Sequence, residues 1–318
     1  MATEMIGVGG MSNELKQTYD RLLLERALPN LVHTQFGQKR NIPPRGGKSI
    51  EFRRMERITI NTTALTEGTN PTETVATYSA VSCTISQYGM YSKVSDLLDM
   101  QAFDPVIADY AENYAEVAGD VVDRICRDVI TGGTTIQYAG TRVTLGSATG
   151  VGSGDFLDSA EIREAVSTLK RNNAKPVVDG KYIMIIHPDV TRDLFADPNV
   201  VDAFKDAGDR GANNPLFTGI LGDYMGVRFV ETTNAKVQSS LGYAGADVYN
   251  CLIVGKNAYG VTELDAQQMR MIVKSKAEEG GPLEMYSTVG WKTAFTSCIL
   301  NNDFMVNVKV NASQSLSA

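Results

Sequence analysis

Residues 104–131 read DPVIADYAENYAEVAGDVVDRICRDVIT, and their spacing predicts a single long helix. Asp104 suits the N-cap, and Pro105 suits the first helical position, where its missing N–H costs nothing. Ile107, Tyr110, Tyr114, Val117, Val121 and Ile125 recur at the spacing of one buried face, which Val106, Ala118, Val122 and Val129 widen. Asp109, Glu112, Glu116 and Asp120 crowd the first half and Arg124 and Arg127 the second, the order that suits the helix dipole. Gly132-Gly133 is a C-terminal stop. Such a rod is roughly 40 Å long at 1.5 Å per residue, too long to be one wall of a small pocket. It is expected to be a spine on which sheets are laid.

The 318 residues can bury a sizeable core, as two lobes or one complex domain. A net charge of −7 argues against a dedicated nucleic-acid binder. The exception is a basic segment carrying Lys39, Arg40, Arg45, Lys48, Arg53, Arg54 and Arg57. Cys83, Cys126, Cys251 and Cys298 have no paired spacing and are expected as reduced, buried thiols. No secretion signal and no apolar run of bilayer length is evident, so no membrane role is expected.

Upstream of the spine, 1–12 is small and Gly-rich, and 13–27 has the pattern of a short amphipathic helix stopped by Pro29. With Pro43-Pro44 and Gly46-Gly47, the first 45 residues read as a reaching arm. Alternation from Ser49 to Arg53 and strand-forming residues from Val75 to Ser92 flank a polar tip, Thr66–Thr72. Together they predict a long hairpin that must lie on something, since isolated two-stranded ribbons are marginal.

Downstream, 134–138 and 141–145 predict a hairpin about Ala139-Gly140, and 146–154 a flexible link. Asp158 and Glu161 form a capping-box pattern at the head of another helix. Tyr182–Ile186 is apolar throughout, as in strands buried on both faces. His187-Pro188-Asp189 turns into a short helix, Pro198 opens another, and 208–215 reads as an exposed loop. Strands follow at 227–230, 251–254 and 269–274, with 291–300 and 304–310 as a closing hairpin. A strand-rich C-terminus returning to the spine makes 155–265 an insertion in an α+β fold.

Chemistry finds little support. The chain has two histidines, His33 and His187, so neither a His-rich site nor a Cys–His zinc site is expected. His187 fits a base less well than a satisfied histidine at a strand–helix junction. Gly150-Val151-Gly152-Ser153-Gly154 imitates a phosphate cradle without its flanking strand and helix. The acidic ladder of the spine lacks a Glu-x-x-His partner and reads as a solvated face. Nothing assembles a nucleophile, a base and an oxyanion site, so no catalytic, cofactor-binding or metal-binding residue is assigned.

In their order, these elements resemble the HK97-like major capsid proteins of tailed phages. Local sequence narrows the likeness to the N4 gp56-like family: Leu28-Pro29-Asn30-Leu31-Val32, Gln35-Phe36-Gly37, Phe52-Arg53-Arg54, Leu65-Thr66-Glu67-Gly68, Ile85-Ser86-Gln87-Tyr88-Gly89 and Gly222–Thr232 carry it. The resemblance implies an N-terminal arm over 1–45, an extended β-hairpin (E-loop) over 46–95, a P-domain from 96–155 and 266–318, and an A-domain over 156–265. It implies hexamers and pentamers of an icosahedral shell around double-stranded DNA, hence a virion protein assembled in the host cytoplasm. Implied partners are other copies of the chain, a portal protein, a separate scaffolding protein, a cement or decoration protein and, nonspecifically, the packaged DNA. No cofactor is implied. Arg53, Arg54 and Arg57, with Thr66, Glu67 and Gly68 at the tip, are the expected inter-subunit contacts. Two other readings stand beside this one: an encapsulin-like cellular compartment, and an α/β enzyme centred on His187 and Asp189.

Overall fold

The computed structural model describes residues 31–42, 47–56, 58, 60–71, 73–101, 106–140, 142–145, 150–206, 222–264, 269–279 and 281–313. The expected helix over 13–27, the Asp104-Pro105 helix start, the loop 208–215 and Arg57 lie outside them. In chain order the strands and helices run β1 (Gln38–Ile42), β2 (Ser49–Met55), β3 (Tyr78–Thr84), β4 (Ser86–Ser95), α1 (Asp96–Gln101), α2 (Val106–Ile130), β5 (Ile136–Tyr138) and α3 (Ser159–Arg171). There follow β6 (Tyr182–Ile186), α4 (Pro188–Leu194), α5 (Pro198–Asp206), β7 (Asp223–Tyr224), β8 (Val227–Glu231), β9 (Val237–Gln238) and β10 (Val248–Val254). The chain closes through β11 (Tyr259–Leu264), β12 (Arg270–Lys274), α6 (Lys276–Glu279), β13 (Tyr286–Ile299) and β14 (Met305–Val310).

The spine is α2, and it does support two sheets. Its first half lays Ala111, Tyr114, Ala115 and Ala118 against Met271, Val289 and Trp291 of a five-stranded sheet built around β13. Its second half lays Val122, Cys126 and Ile130 against Ile183, Ile185, Leu252 and Val254 of a seven-stranded sheet. The buried stripe is turned by about one residue from the expected one: Val117 and Val121 are half-exposed and Tyr110 is exposed. Methyl-sized side chains let the helix approach the sheet closely, and this outweighs the greater apolarity of valine. Past Ile130, Gly132 and Gly133 donate to Val129 and Ile130 carbonyls and stop the helix as expected.

The opposite face of the seven-stranded sheet is covered by α3, α4 and α5 through Ile162, Leu169, Val190, Leu194 and Val200. Strand β6 is buried at all its positions, as its composition predicts. Four local expectations are corrected. Strand β5 pairs in parallel with β14, and not with 141–145 as a hairpin. Strands β13 and β14 belong to different sheets, so the closing hairpin does not form: β14 has its longest ladder with β10. Glu161 does not close a box on Asp158; its carboxylate accepts from Gly140 N–H and Gln137 Nε2, although Asp158 caps α3 as predicted. Residues 150–154 are not a free link, since Val151 is fully buried and Asp155 accepts from Gly152 N–H and Arg142 Nε.

The hairpin exists but is shorter than its expected arms. Strands β2 and β3 form a two-stranded antiparallel ribbon with Ser49 opposite Thr84 and Met55 opposite Tyr78. At Ile85 the chain leaves the ribbon, and β4 joins β13 over ten register pairs. Ile85 is buried with Ile42 and Ala294, so an apolar residue between two strands marks the corner.

Candidate assembly surface

The ribbon is fastened at its root and bare at its tip. Phe52 is buried and lies against Gly260, where a Cβ would sit 2.8 Å from the Phe52 ring; only glycine admits the contact. The Arg40 guanidinium covers the ring from 5.2 Å. Burying one such aromatic contributes about 1.5–3 kcal/mol. A disulfide between Cys83 on β3 and Cys298 on β13 adds a covalent bolt. This corrects the expectation of four reduced thiols. The two cysteines lie 215 residues apart, and only the meeting of ribbon and sheet brings their Cα atoms to 6.2 Å. Cys126 and Cys251 are free and buried, and burial pushes the Cys126 thiol up to about 12.

Beyond Glu56, whose N–H reaches the Thr77 carbonyl, the described residues of 58–76 are almost all exposed, including Ile60, Leu65 and Val75. At the tip Thr69 N–H bonds the Thr66 carbonyl, and Gly68 takes φ +77°, the left-handed value a type II turn needs at its third position. Thr66, Glu67 and Gly68 are therefore grouped on one exposed turn. Arg53 and Arg54 lie on β2 opposite Ala80 and Ser79, within the paired ladder and not on that turn; Arg53 pairs with Glu51 at 3.0 Å.

A second fastening ties the segment before β1 to the spine. Asp123 is fully buried in α2 and accepts from His33 N–H at 2.7 Å, with His33 Nδ1 at 2.7 Å from its other oxygen. Cys126 Sγ and Tyr259 OH both donate to the His33 carbonyl. Sequence reasoning missed this pair because its members are 90 residues apart; a lone Asp at a helix position that faces the core was its only trace.

The family model for phage capsid protein matches residues 78–294, from β3 into β13. The chain belongs to the phage capsid protein family. Solved structures agree in fold. The capsid of cyanophage P-SCSP1u aligns with a TM-score of 0.68 at 15% identity, over 89% of this chain and 89% of that one. The capsid asymmetric unit of cyanophage Pam1 gives 0.68 at 15% identity over 99% and 97%. The capsid of Ralstonia phage GP4 gives 0.67 at 14% identity over 90% and 90%. No curated protein matches the sequence.

The capsid protein is a structural protein and not an enzyme, which disposes of the reading centred on His187. That histidine caps α4, its Nδ1 accepting from Asp189 N–H at 3.2 Å, and its ring lies 5.3 Å from that of Tyr249. In the spine's acidic ladder Asp120 accepts from Asn234 Nδ2 at 3.0 Å, while Asp109 and Glu116 are exposed. Among the described residues no group of His, Cys, Asp and Glu could hold a metal ion, and no helix is long and apolar enough to cross a membrane.

Proposed function

We propose that this phage capsid protein is the major coat protein of a tailed-phage head, of the N4 gp56-like type, built as hexamers and pentamers into an icosahedral shell around double-stranded DNA. The observation that supports this reading is the ribbon. It is anchored at its root by Phe52 and the Cys83–Cys298 bond, yet its outer part buries almost nothing within its own chain. An outer segment with exposed Ile60, Leu65 and Val75, carried on a two-stranded ribbon, needs a covering surface, and copies of the same chain supply one in a shell.

The segments divide accordingly. Residues 1–45 act as the arm, 46–95 as the E-loop, 96–155 with 266–318 as the P-domain, and 156–265 as the A-domain. The last two share a sheet, since β5 and β14 complete the one containing β6, β8 and β10. Arg53, Arg54, Arg57, Thr66, Glu67 and Gly68 make contacts between copies. Assembly takes place in the host cytoplasm, with a portal protein and a separate scaffolding protein, and a cement or decoration protein on the finished head.

Purified protein examined by sedimentation and electron microscopy is expected as megadalton shells or rings of capsomers. A chain that remains a small oligomer under all assembly conditions overturns the reading.

A further inference from the structure

The two fastenings of the ribbon root stand side by side. Cys298 is opposite Gly260 in the β11–β13 ladder, so the disulfide and the Phe52 contact meet the sheet on one face. Neither remaining cysteine competes for this pair. The Cys126 Sγ lies 3.5 Å from Ser297 Oγ, and successive side chains of a strand point to opposite faces, so Cys298 points away from Cys126. Cys251 is fully buried on β10 in the other sheet. Burial raises the pKa of both these thiols and keeps them protonated and unreactive. The members of the pair differ in access, since Cys83 is buried and Cys298 partly exposed. Disulfide exchange uses such a difference: a small disulfide reaches one thiolate, and the second resolves the mixed bond. Without the bond the root keeps Phe52 under Arg40, Ile85 against Ile42 and Ala294, and the Ile85 N–H on the Lys48 carbonyl.

From these observations, and resting on the shell reading above with its assembly in the host cytoplasm, we infer that the Cys83–Cys298 bond is a redox lock, open while the shell is built and closed once the particle meets an oxidising medium. A cytoplasm keeps thiols reduced, and the non-covalent fastenings hold the root until then. The closing oxidant is a low-molecular-weight disulfide. The Cys298 thiolate attacks one of its sulfurs and expels a thiolate. The Cys83 thiolate then attacks Cys298 Sγ in the mixed disulfide and expels the second. Two protein thiols are oxidised, one small disulfide is reduced to two thiols, and the protein's two S–H protons pass to the leaving groups. The ribbon otherwise joins this sheet along the chain through the corner at Ile85, and the bond adds a link from β3 to β13 between residues 215 apart in sequence. Closing it fixes the root after neighbouring copies have covered the outer part, so the shell gains as well as the subunit.

The test counts thiols before and after release. Cells are quenched in acid while particles form, and the thiols of the denatured chain are labelled with a maleimide. All four cysteines are expected to react, falling to two, Cys126 and Cys251, after released particles are held with glutathione disulfide. Guanidinium is expected to dissociate the oxidised particles about tenfold more slowly than reduced ones. Dithiothreitol reverses this gain, and particles of Cys298→Ser or Cys83→Ala lack it. Reduced wild-type chains and both variants are expected to assemble at the same concentration, with the near-UV dichroism of Trp291 reporting that each chain folds. Two labelled thiols in the acid-quenched cells would overturn this inference alone, as would four after oxidation. A dissociation rate that closing the bond leaves unchanged overturns it too, and so do reduced wild-type chains that assemble only once oxidised. Wild-type chains that form no particles, reduced or oxidised, overturn the shell reading and this inference with it.

Discussion

At Ala115 and Ala118 the spine helix meets the five-stranded sheet with nothing larger than a methyl group, so the spacing between helix and sheet is set by the smallest side chains on the face. Enlarging either forces the helix off Trp291 and Val289. Ala118→Leu is expected to cost about 1–3 kcal/mol, read as a lowered denaturation midpoint. Val117→Asp, on the half-exposed flank, is expected to cost markedly less, and equal losses would place the seam where apolarity alone predicts it. Asp123 is the other residue on which much depends. Asp123→Ala strips His33 of acceptors for its backbone N–H and its ring at a buried site, an expected loss of about 3–5 kcal/mol. The segment 31–42 should then be cut by protease faster than the rest of the chain. Unchanged cutting would mean that β1, paired in parallel with β11, holds the segment unaided.

Among the elements, the ribbon depends most on its fastenings. Two strands alone are marginal, and here the Cys83–Cys298 bond and Phe52 under Arg40 secure the root. Thiol titration of the denatured, unreduced protein is expected to find two free cysteines, Cys126 and Cys251, and four after reduction. Cys298→Ser is expected to lower stability by about 2–4 kcal/mol, the usual worth of a bond closing a long loop. Four titratable thiols before reduction would refute the bond.

For the whole molecule, a subunit with so much exposed outer ribbon should behave differently alone and in a shell. Amide exchange over 60–71 is expected to be fast in free subunits and slowed strongly in particles, while α2 and β10 stay protected in both. Equal protection in both states would leave the ribbon without a partner and remove the main support for the shell reading.

What could be read from the chain by itself was whatever repeats over a short distance. The spine helix, its glycine stop, the apolar β6, the Asp158 cap and the two-armed ribbon were all legible, because periodicity, capping and turn chemistry act within a few residues. The likeness to phage capsid proteins was legible too, since it rested on many short stretches in a fixed order. Tertiary structure alone decided which side of the spine is buried, that β13 and β14 part into different sheets, that Cys83 meets Cys298, and that Asp123 holds His33. Each of these is a choice among partners far apart in sequence. Local composition leaves such choices nearly equal in energy, and close packing of helix against sheet selects among them.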